Sequence, residues 1–101
     1  MKHQFSPKFR KLSKQDKVAA FIKFVDSHRV TVMGKEVSDC FYSEESNSIF
    51  FNKDDGKSSI TSITTEYLFA AKIDGNTLSG QDEFGAFIIR FFNLTPASIT
   101  L

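Results

Sequence analysis

Apolar residues recur with helical spacing in one stretch near the start of the chain. Their spacing of i, i+3, i+4 and i+7 places them on one face of an α-helix. They are Val18, Phe21, Ile22 and Val25. Ser13 precedes the run as a favourable N-cap, and Asp16 three residues later completes an acidic capping pattern. The pattern predicts an amphipathic helix over residues 14–28.

From Val30 onward the apolar period changes to two, which is typical of β-strands. The clearest strand is predicted at Phe84–Leu94, where apolar residues alternate with outward positions. Another is predicted at Glu66–Ile73, and Asp54-Asp55-Gly56 has the composition of a hairpin turn. Short connections leave no room for the crossovers that parallel strands need. We therefore expect five to seven antiparallel strands between residues 30 and 94.

These elements predict an α+β fold in which a basic N-terminal arm and one amphipathic helix pack on a curved antiparallel β-meander. The arm spans residues 1–12, and residues 13–101 form a single α+β domain. Pro7 disfavours helix at Ser6. Phe5, Phe9 and Leu12 are spaced as anchors that tie the arm onto the body of the domain.

One segment near the C-terminal end carries a limited resemblance to a known class of proteins. Residues 73–80, followed by Gly85 and Phe87, resemble the closing hairpins of small calycin-like and meander proteins. The resemblance covers only these residues and consists mostly of turn chemistry. It implies a meander fold and no particular activity.

The charges of the chain are divided between its two parts. Residues 1–29 hold eight Lys and Arg against two Asp, a net charge of +6, while residues 30–101 hold five against ten acids, a net charge of −5. The overall charge of +1 conceals this division. The boundary coincides with the change from helical to strand periodicity. A basic segment on an acidic body suggests an element that meets something acidic.

Composition excludes several classes of protein. The 41% of hydrophobic residues, with twelve Phe and no Trp, is sufficient for one core. A single cysteine, Cys40, excludes an internal disulfide and a cysteine-built zinc site, and we expect no metal and no cofactor. A free thiol favours a reducing compartment, so the expected location is cytoplasmic. No apolar run reaches the ~18 residues of a membrane span.

The sequence contains no convincing catalytic constellation, and we expect a protein that is not an enzyme. Gly56-Lys57-Ser58 lacks the preceding glycine of a phosphate-binding loop, because Phe51 occupies that position. His28, Asp39 and Cys40 contain the groups of a thiol–imidazole–carboxylate set. Asp39 and Cys40 are neighbours on one predicted strand and so face opposite sides, which argues against this set. The acidic pairs at residues 44–45, 54–55 and 82–83 are predicted to lie in solvent-exposed turns.

The candidate binding residues are the cations of the arm and of the start of the helix, together with one aromatic residue that interrupts them. They are Lys8, Phe9, Arg10, Lys11, Lys14 and Lys17. Cations in this density suit an acidic protein surface, and with an aromatic neighbour they also suit nucleic acid. A third interpretation is that they only neutralise the acidic sheet of the same molecule.

The expected function is that of a small intracellular binding protein that docks on an acidic macromolecular partner through its basic arm and helix. An adaptor, an inhibitor or an immunity-type accessory protein of a phage or bacterium would have this size and lack of catalytic groups. One alternative is nucleic-acid binding by the same residues. Another is a small-ligand carrier with a Phe-lined pocket. A homodimer in which the arm crosses to a neighbour through Phe5 and Phe9 is a further alternative.

Overall fold

The protein has an α+β fold, and the computed structural model describes residues 2–53 and 58–101. Its described helices are α1 (Pro7–Arg10), α2 (Lys14–Asp26) and α3 (Thr65–Leu68). Its described strands are β1 (Arg29–Val32), β2 (Lys35–Glu36), β3 (Asp39–Ser43), β4 (Ser48–Asn52), β5 (Ser59–Thr64), β6 (Lys72–Asp74), β7 (Thr77–Asp82) and β8 (Gly85–Phe92). The predicted hairpin turn at residues 54–56 lies outside the described part of the chain.

The strands form two antiparallel sheets. The larger sheet has the order β2-β1-β8-β7-β6, and the smaller one has the order β3-β4-β5. The predicted α+β class and antiparallel pairing are confirmed. The described strands are eight, one more than the upper end of the predicted range. They do not form one continuous meander, because β1 pairs with β8 and so separates β3, β4 and β5 into a second sheet.

The predicted amphipathic helix is present as α2. Ser13 caps it, since the Ser13 Oγ accepts a hydrogen bond from the Asp16 amide at 3.1 Å. Its apolar face is buried against the sheets through Val18, Phe21 and Val25. The helix ends at Asp26, two residues before the predicted end, because the chain must turn there to enter β1 at Arg29.

The predicted strand at 66–73 is wrong. The chain forms the short helix α3, and only its last part enters a strand, β6. The backbone carbonyl of Asn47, in the turn between β3 and β4, accepts a hydrogen bond from the Thr65 amide at 2.9 Å and holds the start of α3. Thr65 and Leu68 are both buried, and their separation along the chain is that of one helical turn. A tertiary contact therefore overrides a local alternation that is typical of strands.

A cluster of five phenylalanine rings connects the N-terminal segment, α2 and the smaller sheet. We call it the phenylalanine cluster; it consists of Phe5, Phe9, Phe21, Phe51 and Phe69. Phe69 is central, with ring-centroid distances of 6.1 Å to Phe5, 5.6 Å to Phe9 and 6.1 Å to Phe21. Phe21 extends the cluster to Phe51 at 6.3 Å. Edge-to-face pairs of this kind contribute about 0.5–1.5 kcal/mol each beyond their buried area.

Residues 2–12 are packed onto the body of the protein. Phe5 and Phe9 stack on each other at 4.7 Å and are 1% and 4% exposed. His3 exchanges two backbone hydrogen bonds with Ile73, of 2.8 and 2.7 Å. The Ser6 amide donates to the Leu101 carbonyl at 3.0 Å. The anchoring that the spacing of Phe5 and Phe9 suggests is present, and the basic segment is fixed rather than projecting.

One glycine of the larger sheet gives a direct test of the packing. A Cβ at Gly80 would lie 2.9 Å from the Phe87 Cζ and 3.3 Å from the Ala71 Cβ. Phe87 is 3% exposed, so its ring has little room to move. We expect Gly80→Ala to lower the free energy of unfolding by about 1–3 kcal/mol, measured by urea denaturation.

The matched control shortens the obstructing ring. In the background of Phe87→Leu, Gly80→Ala should cost less than it costs in the wild type, because the two side chains no longer overlap. Equal costs in both backgrounds, or no cost in the wild type, would contradict the packing described for Gly80.

Candidate interaction surface

The helix α1 determines which way the N-terminal side chains point. Ser6 is its N-cap, and the Ser6 Oγ accepts a hydrogen bond from the Phe9 amide at 3.1 Å. Pro7 occupies the first helical turn, where a missing amide hydrogen costs nothing. The helical turn places Phe9 inward, while Lys8 and Arg10 are exposed on either side of it. The Arg10 Nε donates to the Phe5 carbonyl at 3.0 Å, which restrains the guanidinium.

The cations predicted as binding residues are displayed together on α1, on the link after it and on the first turn of α2. We call them the basic surface; they are Lys8, Arg10, Lys11, Lys14 and Lys17. The first four are exposed and Lys17 is half-buried. None of the five forms a salt bridge with any residue that the structure describes. Direct ion pairing to the protein's own described acids therefore does not neutralise this surface.

Phe9 is not part of that surface, although the sequence suggested it as the apolar contact. Its ring is 4% exposed and stacks on Phe5 within the phenylalanine cluster. The reason is energetic, because a ring that can be buried beside Phe5 and Phe69 gains more there than in water. The same burial uses Phe5 and Phe9 within one molecule, so neither ring is exposed for contact with a neighbouring copy.

The aromatic residue that does reach the surface near the cations is Phe69. It is half-buried and forms part of a groove of about 480 Å³. The residues that line this groove are Lys14, Lys17, Asn47, Thr65, Glu66, Phe69 and Ala70. The groove thus combines two cations with an apolar ring and one carboxylate, directly at the edge of the basic surface.

Asn47 fixes the far wall of the groove. Its backbone has a φ of 52°, in the left-handed region that asparagine tolerates better than most residues. The Asn47 Oδ1 accepts hydrogen bonds from the Tyr42 hydroxyl at 2.8 Å and from the Thr65 Oγ1 at 2.9 Å. The turn, the strand β3 and the helix α3 are therefore held together by one side chain.

The sequence prediction missed Asn47 and Phe69. An asparagine in the polar turn at 44–48 was the available signal for Asn47, because asparagine is a preferred residue in tight turns. Phe69 carried no such signal, since its position depends on the helical turn of α3. Lys14 also borders a second groove, of about 560 Å³, in which Glu44 and Tyr42 lie opposite it.

The residues considered for chemistry are not brought together as a catalytic group. The His28 Nδ1 lies 2.8 Å from the Phe24 carbonyl at the end of α2, and the Asp39 Oδ1 accepts a hydrogen bond from the Asn52 amide group at 2.9 Å. Burial, together with Asp26 and Asp39, raises the pKa of the Cys40 thiol from 9.0 to about 12. A nucleophilic cysteine has a lowered pKa instead.

Residues 2–53 and 58–101 contain neither a group of side chains that could bind a metal ion nor a helix that could span a membrane. Three or more His, Cys, Asp or Glu side chains do not converge there in a way that could hold a metal ion. The helices in the same residues are too short or too polar to cross a membrane. Comparisons with protein-family models, with curated proteins and with solved structures find no match to this chain.

The environment of Cys40 predicts a loss of stability at alkaline pH. Because the folded thiol has a pKa of about 12, it keeps its proton above pH 9, where the thiol of the unfolded chain ionises. The unfolded state then binds fewer protons, so the free energy of unfolding falls as the pH rises, by up to about 1.4 kcal/mol per pH unit from this group. The measurement is urea denaturation at a series of pH values above 9.

Cys40→Ala isolates the contribution of the thiol, because every other titrating group is retained. The wild type should lose stability more steeply than Cys40→Ala over this range. Parallel curves for the two proteins would show that the pKa of Cys40 is not raised.

Proposed function

We propose that this protein binds an acidic macromolecular partner, namely an acidic protein surface, through the basic surface. The observation that carries the proposal is that five cations close in sequence lie on α1, on the link after it and on the first turn of α2, without a salt bridge to any described residue. Like charges that gather on one side of a protein repel each other and weaken the fold slightly. An opposing acidic surface relieves that repulsion and gains charge-assisted hydrogen bonds.

The fixed position of the cations supports this role. The phenylalanine cluster holds α1 through Phe9, and the Ser6 and Ser13 caps hold the first turns of α1 and α2. The Arg10 guanidinium is further restrained by its hydrogen bond to the Phe5 carbonyl. Binding by a preorganised surface costs less conformational entropy than binding by a free arm. The same number of contacts therefore yields a higher affinity.

The groove beside the basic surface favours a protein partner over nucleic acid. Phe69 and Ala70 offer an apolar floor, which suits an apolar side chain flanked by carboxylates that meet Lys14 and Lys17. Phe9 is buried, so it is unable to stack on a base. Phe9 therefore adds no base stacking to the phosphate contacts that the cations offer.

The ligand-carrier alternative receives less support. It needs a cavity lined by phenylalanine, whereas the rings of the phenylalanine cluster contact each other at centroid distances of 4.7–6.3 Å. The proposal is therefore a non-enzymatic docking protein of the cytoplasm, in the class of adaptors, inhibitors and immunity-type accessory proteins. Capture of partners from a lysate identifies the acidic protein.

The test reverses charge on the basic surface and compares it with an equal reversal elsewhere. The variant carries Lys8→Glu, Arg10→Glu and Lys11→Glu. The control carries Lys23→Glu, Lys35→Glu and Lys72→Glu, three exposed cations outside the basic surface, and it has the same net charge as the variant. Each protein is used to capture partners from a lysate of the source cells with and without nuclease treatment, and the captured protein is then purified and titrated.

We expect the wild type and the control to bind the same acidic protein, while the variant binds it at least about tenfold more weakly. Retention of that partner by the variant at the level of the control would contradict the proposal. Capture that disappears on nuclease treatment, with affinity for DNA or RNA that falls steeply as salt rises, would establish the nucleic-acid alternative instead.

A further inference from the structure

The outward face of the central strand β8 is unexpectedly apolar. In an antiparallel sheet with its core on one side, outward residues are normally polar. The outward positions along β8 and its preceding turn are Phe84, Ala86, Ile88, Arg90 and Phe92. Phe84 is 87% exposed and Ile88 is 46% exposed. Apart from Arg90, each of these positions carries an apolar side chain.

Met33 widens this apolar surface. It lies beside the strand, because the Met33 amide donates to the Ile88 carbonyl at 2.9 Å, and it is 53% exposed. We call the five apolar residues the outer stripe; they are Met33, Phe84, Ala86, Ile88 and Phe92. Among the flanking positions, Thr31 on β1 and Ser79 on β7 carry small polar side chains, whereas Arg29 on β1 stands beside Phe92.

The outer stripe is not required for the protein's own core. The opposite face of β8 already supplies buried Phe87, Ile89 and Phe91. Helix α2 packs on that inner face, where the rings of Phe24 and Phe91 meet at a centroid distance of 5.0 Å. The exposure of the outer stripe shows that no described part of the chain covers it. Contiguous apolar surface of this kind marks an interaction site.

The two ends of the outer stripe carry opposite charges. Asp82 and Glu83 lie at the tip of the β7–β8 hairpin, beside Phe84. Arg90 lies toward the other end, together with Arg29, whose Cζ stands 5.4 Å from the centroid of the Phe92 ring and whose Nε forms a salt bridge with Glu36 at 2.7 Å. Because the stripe is acidic at one end and basic at the other, it is complementary to a copy of itself that runs in the opposite direction.

We propose that the outer stripe is the interface of a two-fold symmetric homodimer of this chain. Ile88 is the midpoint of the segment from Phe84 to Phe92, so an antiparallel overlay places Ile88 against its own copy. Phe84 of each copy then faces Phe92 of the other, and Arg90 faces Ala86, three residues from the other copy's Glu83. Two-fold interfaces are self-complementary in this way, and two twisted sheets pack face to face with nearly aligned strands.

The dimer is independent of the proposed docking function. The basic surface lies on α1 and α2, and α2 packs on the inner face of the sheet, opposite to the outer stripe. Dimer formation therefore leaves the basic surface free. It would present two copies of that surface to a partner, which raises avidity where the partner offers two acidic sites.

The first test is sedimentation equilibrium over a range of concentrations up to about 1 mM, which detects dimers with affinities in the micromolar to millimolar range. The wild type should dimerise. Ile88→Glu should raise the dissociation constant at least about tenfold, because the two introduced carboxylates face each other across the two-fold axis. The control is Phe41→Glu, since Phe41 is 48% exposed on a strand of the smaller sheet.

The second test examines the direction of the overlay. Ala86→Glu should strengthen the dimer and Ala86→Lys should weaken it, because the overlay places residue 86 of each copy against Arg90 of the other. Circular dichroism verifies that all variants are folded. A wild type that stays monomeric, an equal effect of Ile88→Glu and Phe41→Glu, or an equal effect of Ala86→Glu and Ala86→Lys would overturn the proposal.

Discussion

The edge-to-face contacts of Phe69 with Phe5, Phe9 and Phe21 are the constraint on which the rest of the structure depends. They join the N-terminal segment and helix α2, which are neighbours in sequence, to the segment after α3, which lies far along the chain from both. Phe21 passes the connection to Phe51 in the smaller sheet. The cluster thereby holds the N-terminal segment, helix α2 and the smaller sheet against one another.

The cluster also explains why the basic residues near the start of the chain form a defined surface. Without Phe5 and Phe9, the basic residues of the first segment would form a free arm able to fold onto acidic turns of the same molecule. Because both rings are buried, Lys8 and Arg10 are held on a short helix and point into solvent. The division between a basic and an acidic part thereby becomes a defined surface with neighbouring grooves.

The two surfaces of the protein differ in kind. The basic surface is charged, fixed by buried rings beneath it, and suited to a partner whose chemistry is opposite to its own. The outer stripe is apolar with opposite charges at its ends, and is suited to a copy of itself. They lie on opposite sides of the larger sheet, with α2 on the inner face and Ile88 on the outer face. Both can therefore be occupied at the same time.

Sequence periodicity was sufficient for those elements whose burial follows from their own pattern. Helix α2 and strand β8 are examples, because Phe21 and Ile89 are buried where their spacing predicts. It was insufficient where a distant residue decides the structure. The helix α3 depends on a carbonyl of Asn47, and the pairing of β1 with β8 joins the two ends of the domain.

The candidate site was predictable to a similar degree. The cations are predicted correctly as surface residues because a high density of Lys and Arg is visible in the sequence itself. The sequence offers Phe9 as the apolar contact of the surface because no neighbouring residue in the sequence shows that Phe69 packs against its ring. Likewise, the groove formed with Asn47 and Glu66 exists only once α3 is folded against the β3–β4 turn.

The central claim is that buried phenylalanine rings convert the basic segment into a fixed surface. Amide hydrogen exchange of α1 tests it most directly, because the amides of Arg10 and Lys11 donate to the carbonyls of Ser6 and Pro7. We predict that both amides exchange far more slowly than in an unstructured peptide, and that Phe9→Ala abolishes this protection while β8 stays protected. Exchange at unprotected rates in the wild type would show a free arm and contradict the claim.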